Sequence, residues 1–495
     1  MLSWSMLALL LQEVAGSPWH WIVIAAWAVG ELLAVVFVWR IVASGGAPAS
    51  TLLWVVLILV LPSGLGLVLY YLFPRQIQLR RLRRLRTRQQ RWRGELRVRD
   101  GEAFSGYSVG VDADLPLCRL LQGIASEGLS AGNRVRWLPS GQDFFAAASL
   151  AIESARTFVH LQIYIFRPDS TGKHLLRLLI AACKRGVAVR LLFDSVGSFG
   201  LGANDLSELR DAGGKAEAFL PLFWKRRPFT VNLRNHRKLL VVDGTTAFTG
   251  GRNVGDEYST DRFGTKRTWL DAMVRIEGPA VASMHEVFAE DWYHATEEEL
   301  TDAKWFPPCA TVGPDTVGIV CSGPDRDLQP LWLAVLQAVG GAEERIDLSS
   351  PYLVPPPTLL VALKLAAARG VQVRIYTNGS RSEAIGLYHA QRSYYEDLIR
   401  NGVEVFETET NYNHAKLLVV DRRTVVVGSA NMDMRSAHLN FEIAAVLPDS
   451  PDFARDVLLT LDERAGGSRR VASPAQNGGF WRLIDGLCRL LSPLL

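Results

Sequence analysis

Apolar and polar positions alternate along residues 130–475 with the periods of helices and of buried strands. Apolar residues recur at helical spacing over 144–155 and 174–185. Nearly uninterrupted apolar runs over 157–166 and 187–193 predict strands. This strand–helix–strand order predicts an α/β fold with largely parallel sheets covered on both sides.

The same order of elements returns further along the chain. The second copy predicts a helix, a strand, a helix and a strand over 328–339, 345–353, 358–369 and 371–376. An Arg-Gly-Val tripeptide, 185–187 and 369–371, marks equivalent points of the two copies. The duplication predicts two similar α-β-α domains, 130–310 and 311–475, in a pseudo-twofold pair that shares an interface.

The first 74 residues follow a different pattern, that of long apolar stretches. The stretches 21–40 and 52–73 are each long enough to cross a hydrocarbon core as a helix, which takes roughly 20 residues. No lysine or arginine precedes Arg40, so a cleaved signal peptide with a basic first region fits poorly. We therefore expect residues 1–74 to form a two-helix transmembrane hairpin.

Basic residues follow the hairpin, in a juxtamembrane segment and linker over 75–129. Residues 75–99 hold eleven arginines and one glutamate, so the positive-inside rule predicts that this segment stays cytoplasmic. It either lies as a helix along an anionic membrane surface or serves only to fix the topology. The tail, 476–495, has apolar residues at helical spacing. It either dips into the membrane interface or packs against the preceding domain.

The composition of the chain excludes several classes of protein. With 48% apolar and 21% charged residues among 495, the chain is neither disordered nor of low complexity. Its 54 Lys and Arg against 50 Asp and Glu give a net charge of +4, too small to indicate nucleic-acid binding. Five cysteines without CxxC spacing argue against a disulfide scaffold and against a cysteine-based zinc site.

Two stretches with identical spacing of polar residues lie in the two copies. They are NHRKLLVVDGTTAFTGGRN and NHAKLLVVDRRTVVVGSAN, and the shared pattern H-x-K-x4-D-x6-G-[GS]-x-N spans 236–253 and 414–431. The polar residues are His236, Lys238, Asp243 and Asn253 in the first motif and His414, Lys416, Asp421 and Asn431 in the second. Because alternate residues of a strand face one side, each histidine and its lysine should project together.

These residue types predict chemistry on a phosphate group. Two histidines that meet at an interface can divide the work, one attacking phosphorus and the other donating a proton to the leaving oxygen. The lysines and asparagines would then balance charge on the phosphate oxygens. Each aspartate lies where a turn begins, so it should anchor the turn or pair with the lysine. This chemistry requires no cofactor and no metal ion.

The paired motif resembles that of the phospholipase D superfamily, over roughly residues 130–495. Further segments, such as IYIFRPDSTG, PYLVPPP and GSANMDMRS, resemble bacterial cardiolipin synthases more narrowly. In that family two phosphatidylglycerol molecules react through a phosphohistidine. The resemblance implies that the catalytic set comprises His236, Lys238, Asp243, His414, Lys416 and Asp421.

The resemblance also implies roles for individual residues. It favours His236 as the nucleophile and His414 as the acid and base, with the reverse left open. It implies an acidic partner for each imidazole, at Asp271 and Glu442. Gly251 departs from the serine that many superfamily members have at its position, although GG is common in the lipid-type first motif.

Sequence alone leaves several functions open. A phosphatidyltransferase that makes cardiolipin is favoured, and a phospholipase D-type hydrolase or a transphosphatidylase with another donor is the alternative. A nuclease is disfavoured by the membrane segment, and a lipid-binding scaffold by the intact histidines. The expected partners are phospholipid substrates and an anionic membrane surface, not nucleic acid, at the cytoplasmic side of a bacterial inner membrane. The oligomeric state is not predicted.

Overall fold

A computed structural model describes most of the chain from residue 20 to residue 490. The described residues are 20–43, 48–61, 66, 115–124, 128–221, 233–259, 269–326, 328–379, 385–409, 411–472 and 479–490. The arginine-rich segment 75–99 and much of the second predicted span, 62–65 and 67–73, lie outside them. The described residues fall into two compact units.

In the first unit the described residues form two helices, α1 (His20–Ala43) and α2 (Pro48–Val60). They pack on each other through a small apolar cluster that includes Ala34, Ile41 and Ile58. Within the described residues, no helix is both long enough and apolar enough to cross a membrane. The two-span hairpin therefore stays a prediction.

The second unit contains both copies of the repeat. Its first half comprises α3 (Pro116–Ile124), β1 (Leu129–Leu138), α4 (Gly141–Ser154), β2 (Phe158–Ile163), α5 (Ser170–Lys184), β3 (Ala188–Asp194), α6 (Ser207–Asp211), β4 (Lys215–Phe219), β5 (Arg234–Asn235), β6 (Leu239–Val242), β7 (Thr246–Gly250), α7 (Asp256–Ser259), β8 (Trp269–Leu270), β9 (Met273–Glu277) and α8 (Ala280–Thr296).

The second half repeats this order. It comprises β10 (Asp315–Ser322), α9 (Pro330–Gly340), β11 (Arg345–Ser349), β12 (Leu353–Val354), α10 (Pro357–Ala368), β13 (Gln372–Asn378), α11 (Ile385–Arg400), β14 (Glu404–Thr408), β15 (Tyr412–Asn413), β16 (Leu417–Val420), β17 (Thr424–Gly428), β18 (Met432–Asp433), α12 (Met434–His438), β19 (Asn440–Leu447), α13 (Pro451–Gly466), β20 (Ser468–Arg470) and α14 (Gly479–Leu490).

Local sequence explains where these helices begin and end. Helix α4 starts with a capping box, in which the Ser140 hydroxyl accepts from the Asp143 backbone N–H at 3.0 Å and the Asp143 carboxylate caps in return. The glycine of each Arg-Gly-Val tripeptide follows a helix with a positive φ, 88° at Gly186 and 92° at Gly370. A residue without Cβ adopts this conformation at little cost, so each tripeptide turns the chain from helix into strand.

One sheet runs through both halves of the second unit. From its centre, where β1 pairs with β10, the first half continues as β9-β7-β6-β2-β3-β4 and the second as β19-β17-β16-β11-β13-β14-β20. The two arms therefore match strand for strand up to β14, which is the predicted pseudo-twofold arrangement.

The prediction of largely parallel sheets was wrong. In the main sheet only β2-β3-β4 and β11-β13-β14 run parallel, together with the short pairing of β5 with β19. The remaining pairs are antiparallel. The physical reason lies in the motifs, whose strands β6–β7 and β16–β17 are joined by short turns, and a short turn can join only antiparallel strands.

The largest apolar core is shared by the two halves. It contains Ile276 and Phe288 from the first half together with Ile319 and Phe441 from the second, all with no exposed surface. Burial of apolar area on this scale is the main term that holds such a domain pair together. The halves therefore form one folded body, and residues from both can meet at fixed positions.

Candidate active site

The strand that leads into each motif pairs with a strand of the opposite half. Strand β5 runs parallel to the start of β19, and the His236 backbone N–H donates to the Phe441 carbonyl at 2.9 Å. In the symmetric place β15 runs parallel to β8, and the His414 backbone N–H donates to the Leu270 carbonyl at 2.7 Å. Each histidine is therefore held beside the acidic residue that directly follows its backbone partner, Glu442 after Phe441 and Asp271 after Leu270.

Glu442 of the second half orients His236 of the first. Nδ1 of His236 lies 3.0 Å from Oε2 of Glu442 and 3.1 Å from Oε1. The same carboxylate accepts from the Ser429 hydroxyl at 2.5 Å and from the Asn440 amide at 3.3 Å. Because an ionised carboxylate can only accept, the imidazole proton sits on Nδ1 and Nε2 keeps its lone pair.

Asp271 of the first half orients His414 of the second. Nδ1 of His414 lies 2.5 Å from Oδ2 of Asp271, whose other oxygen accepts from the Ala272 backbone N–H at 2.7 Å. A Cβ added at Gly251 would lie 2.1 Å from Oδ1 of Asp271. The glycine that departs from the common serine thus makes room for the shorter acid, whereas Ser429 bonds to the longer one.

Both lysines of the motifs are buried beside their histidines. The Lys238 ammonium donates to the His236 carbonyl at 2.7 Å and lies 5.3 Å from the centre of the Tyr164 ring. The Lys416 ammonium lies 2.5 Å from the His414 carbonyl and 3.1 Å from Nε2 of the same residue. The ring of Tyr164 also meets His236 edge-on at 4.9 Å, so His236 and Lys238 project to one side, as predicted.

Each lysine acts electrostatically on the histidine of the other half as well as on its own. Burial, and then the charges of Lys238 and Lys416, lower the pKa of His236 to about 4. Burial and Lys416 lower the pKa of His414 to about 3, with a smaller contribution from Lys238. Burial lowers the pKa of Lys416 to about 8, and burial together with Lys416 holds the pKa of Lys238 well below its usual value.

The two carboxylates, unlike the imidazoles, are held in their charged forms. Burial by itself would raise their pKa values, but Lys416 and His414 lower the pKa of Asp271 to about 2, and His236 and Lys238 lower that of Glu442 to about 2. The site therefore holds ionised carboxylates, neutral imidazoles and two buried lysines, and repulsion from Lys416 disfavours the ammonium form of Lys238. An anion placed between the ammonium groups would relieve that repulsion.

The motif aspartates hold the hairpin turns. Asp243 has a φ of 51° and accepts from the backbone N–H groups of residues 156, 157 and 158, each at 2.8 Å. Asp421, with a φ of 50°, accepts from the backbone N–H groups of 343, 344 and 345 at 2.8 to 2.9 Å. Both predicted catalytic aspartates thus bind backbone rather than a lysine, so they act as positioning residues.

The two asparagines predicted to bind phosphate differ in their surroundings. Asn253 is engaged within the protein, since its oxygen accepts from the Ile165 backbone N–H at 3.1 Å and its amide donates to the Tyr258 hydroxyl at 2.8 Å. Among the described residues, the buried Asn431 oxygen has no hydrogen-bond partner. Phosphate binding by either residue stays a prediction.

The asparagine directly before each histidine was overlooked in the sequence. The side-chain oxygens of Asn235 and Asn413 accept from the backbone N–H two residues on, at 3.2 and 3.3 Å. These turns fix the backbone at the histidines. The signal was available, because both motifs begin with Asn-His. Among the described residues, no group of three or more His, Cys, Asp or Glu could hold a metal ion.

Aromatic side chains around His414 were also not predicted. Trp269 and Tyr258 approach its ring at 5.2 and 5.5 Å between centroids, and Tyr412 packs on Trp269 at 4.6 Å. Scattered aromatic residues give no periodic signal in a sequence. The side chains of His236 and His414 are only 9% and 10% exposed, so both imidazoles are largely buried.

Comparisons with known proteins agree with this geometry. A family model described as "Cardiolipin synthase, PLD-like domain" matches residues 150–292 and 335–462, more than half of the chain. A cardiolipin synthase of Geobacillus sp. (strain WCH70) is 34% identical over 463 residues, which cover 90% of this chain and 89% of that protein. A cardiolipin synthase of Halalkalibacterium halodurans is 32% identical over 506 residues, which cover 97% of this chain and 96% of that protein.

A solved structure also resembles the fold. Phosphatidylserine synthase of Haemophilus influenzae Rd KW20 superposes with a TM-score of 0.58 and 14% identity, over 77% of this chain and 100% of that chain. At this level of identity the likeness concerns the fold alone.

Proposed function

Because the chain belongs to the cardiolipin synthase family with phospholipase D-like domains, we propose that it joins two phosphatidylglycerol molecules into cardiolipin and releases glycerol. The observation that carries the proposal is the exchange of carboxylates between the halves. Glu442 binds His236 and Asp271 binds His414, so neither half holds a complete histidine–acid pair. A single site with two oriented imidazoles suits a two-step transfer.

In the first step His236 acts as the nucleophile. Its proton is held on Nδ1 by Glu442, so the lone pair of Nε2 attacks phosphorus of the first phosphatidylglycerol. A nitrogen–phosphorus bond forms while the bond from phosphorus to the glycerol oxygen breaks. Ser429 and Asn440 donate to the same carboxylate and fix its position, and with it the direction of the imidazole.

His414 supplies the proton that glycerol needs to leave. The Lys416 ammonium, 2.9 Å from Nδ1 and 3.1 Å from Nε2 of His414, opposes protonation of this imidazole. A bound phosphodiester attracts both lysines to its oxygens and adds a negative charge that raises the pKa of His414. Asp271 then stabilises the imidazolium through Nδ1, and Nε2–H is donated to the glycerol oxygen.

The second step reverses these roles. The neutral imidazole of His414 takes the proton from a hydroxyl group of the second phosphatidylglycerol, whose oxygen attacks phosphorus. The bond to His236 breaks, cardiolipin forms and both imidazoles return to their starting states. Lys238 and Lys416 balance the charge that builds up on the phosphate oxygens during both steps. Water in place of the second lipid would give phosphatidic acid instead.

The protein acts at the cytoplasmic face of a bacterial membrane, held there by the hairpin of residues 1–74. In support, helix α1 exposes large apolar side chains, including Trp21 at 75% and Trp39 at 72%, which are costly to leave in water. Removal of residues 1–74 should reduce the share of the chain in the membrane fraction, with activity on dispersed short-chain lipid retained. Loss of the folded second unit on this truncation would contradict the proposal.

The test of the reaction uses the purified full chain on phosphatidylglycerol vesicles. Cardiolipin and glycerol should appear in equal amounts, and the main product should not be phosphatidic acid, which would indicate hydrolysis. His236→Ala and His414→Ala should each abolish turnover while the melting temperature changes little, because the site acts as one unit. His174→Ala, on helix α5, is the control and should retain full activity. Turnover in either motif variant would contradict a shared site.

A further inference from the structure

Helix α14, near the end of the chain, turns its apolar side away from the protein. Its exposed apolar residues recur at helical spacing and cover one face: Phe480 is 67% exposed, Leu483 59%, Leu487 50% and Leu490 76%. A surface helix of a folded domain normally buries this stripe and exposes its polar side. Here the arrangement is inverted.

Polar and aromatic groups on the other side attach the helix to α11. The Asp485 carboxylate accepts a hydrogen bond from Nδ1 of His389 at 2.7 Å, and Trp481 stacks on the same imidazole at 5.5 Å. The Arg489 guanidinium lies 4.4 Å from the centre of the Tyr394 ring. These contacts fix the rotation of the helix about its axis, so the outward direction of the leucines is set by specific bonds.

Helix α11 connects this attachment to the catalytic strand. Its Gln391 donates to the Asn378 carbonyl at 2.6 Å. The Asn378 side chain in turn donates to the Asn413 carbonyl at 2.8 Å and accepts from the Asn413 backbone N–H at 2.7 Å. Asn413 is directly followed by His414. Two hydrogen-bonded steps thus separate helix α11 from the residue before the second catalytic histidine.

The chemistry of the exposed face fits the surface of a phospholipid bilayer. A row of leucines and a phenylalanine can enter the acyl boundary, and Trp481, 49% exposed beside them, is of the type enriched at the headgroup level. Arg482 is exposed on the neighbouring side, where an arginine can meet anionic headgroups. Ile385, at the start of α11 and 71% exposed, adds an apolar side chain to the same pair of helices.

We propose that α14 docks on a bilayer that contains anionic phospholipid, with Phe480, Leu483, Leu487 and Leu490 inserted, and so presents the site around His414 to membrane lipids. The inference rests on the proposed function, because only a lipid substrate requires the site to face a bilayer. The helix therefore both packs against the catalytic unit, by its polar side, and enters the membrane interface, by its apolar side.

The test compares two substrates in the full chain. Leu483→Glu/Leu487→Glu should lower the rate on phosphatidylglycerol vesicles by about tenfold or more, since charges replace two exposed leucines that would insert into the bilayer. The rate on monomeric dihexanoyl phosphatidylglycerol should be unchanged, because the catalytic residues are untouched. The matched control is Val361→Glu/Leu365→Glu on helix α10, whose residues have the same spacing and similar exposure, 58% and 54%. It should retain both rates.

A depth measurement separates membrane insertion from other roles. A fluorescent label on Leu487→Cys, with Cys309 and Cys488 replaced by alanine, should be quenched by lipids brominated in their acyl chains, and a label on Leu365→Cys should not. An equal loss of both rates in the α14 variant, or no quenching at position 487, would overturn the proposal. If the α14 variant keeps full activity on vesicles and forms a smaller particle in detergent than the unaltered chain, the apolar face binds a second copy of the chain and the proposal is overturned. Failure of the unaltered protein to form cardiolipin from either substrate would instead refute the proposed function.

Discussion

Gly251→Ser tests whether the orientation of His414 depends on the space beside Asp271. The substitution introduces a serine, the residue that the second motif has at the equivalent position, Ser429. In the first half, however, the new Cβ would lie 2.1 Å from Oδ1 of Asp271 and 2.8 Å from its Cγ. Side-chain carbons essentially never approach this closely, so the carboxylate has to move.

The size of the effect follows from the geometry. Restoring a separation of 3.0 Å requires the Asp271 oxygen to retreat by about 0.9 Å (3.0 minus 2.1). That shift acts on the 2.5 Å hydrogen bond between Oδ2 and Nδ1 of His414. A misplacement of about 1 Å at a catalytic group can cost about 10²-fold in rate, or about 2.7 kcal/mol of barrier. We expect kcat to fall by about that factor, with a small change in KM.

The assay is the formation of cardiolipin from phosphatidylglycerol vesicles, with thermal unfolding measured in parallel. Gly340→Ser is the control, because a Cβ at Gly340 meets nothing within 4 Å. The double variant Gly251→Ser/Asp271→Glu recreates the pairing of Ser429 with Glu442 and should recover part of the lost rate. Wild-type kcat in Gly251→Ser would refute the idea that this glycine positions Asp271.

Three further predictions concern stability and orientation. Arg237→Ala should lower the free energy of unfolding by about 3–5 kcal/mol, because it leaves the buried Asp291, 2.7 Å away, without its cation. In the same denaturant titration the control Arg422→Ala, which breaks an exposed ion pair, should cost less than about 1 kcal/mol. The melting temperature should fall as the pH drops from about 7 towards 4. Burial lowers the pKa of His285 to about 3, so in this pH range the unfolded chain binds more protons than the folded chain. His285→Phe should make the melting temperature depend less on pH, and an unchanged slope would contradict this prediction. Ser429→Gly removes the 2.5 Å hydrogen bond to Glu442 and should lower kcat by about tenfold with little change in melting temperature.

Much of the fold was predictable because its elements are periodic. The helix predicted over 358–369 is α10 (Pro357–Ala368), and the strand predicted over 371–376 is β13 (Gln372–Asn378). Parallel pairing was overestimated, since apolar runs such as Leu239–Val242 are equally compatible with a buried antiparallel hairpin. Periodicity shows which residues are buried but not which strand lies beside which.

The residues of the candidate site could be predicted from the sequence, but the pairing of each histidine with its acid could not. The repeated spacing of His236 and His414 predicted the candidate reactive groups, and the resemblance supplied Asp271 and Glu442 as their acidic partners. No local pattern shows that each acid serves the histidine of the other half, because that follows from the pairing of β5 with β19 and of β15 with β8. The exchange is a consequence of tertiary topology, and only the folded chain reveals it.

The central claim, one site in which His236 bonds to phosphorus and His414 carries the proton, is tested most directly with a substrate that needs no acid. The p-nitrophenyl ester of phosphatidic acid has a leaving group that departs as an anion. His414→Ala should release about one p-nitrophenolate per chain in a rapid burst, with a phosphatidyl group on His236 detected by mass spectrometry, and His236→Ala should release none. A burst in His236→Ala, or an adduct on any other residue, would contradict the account.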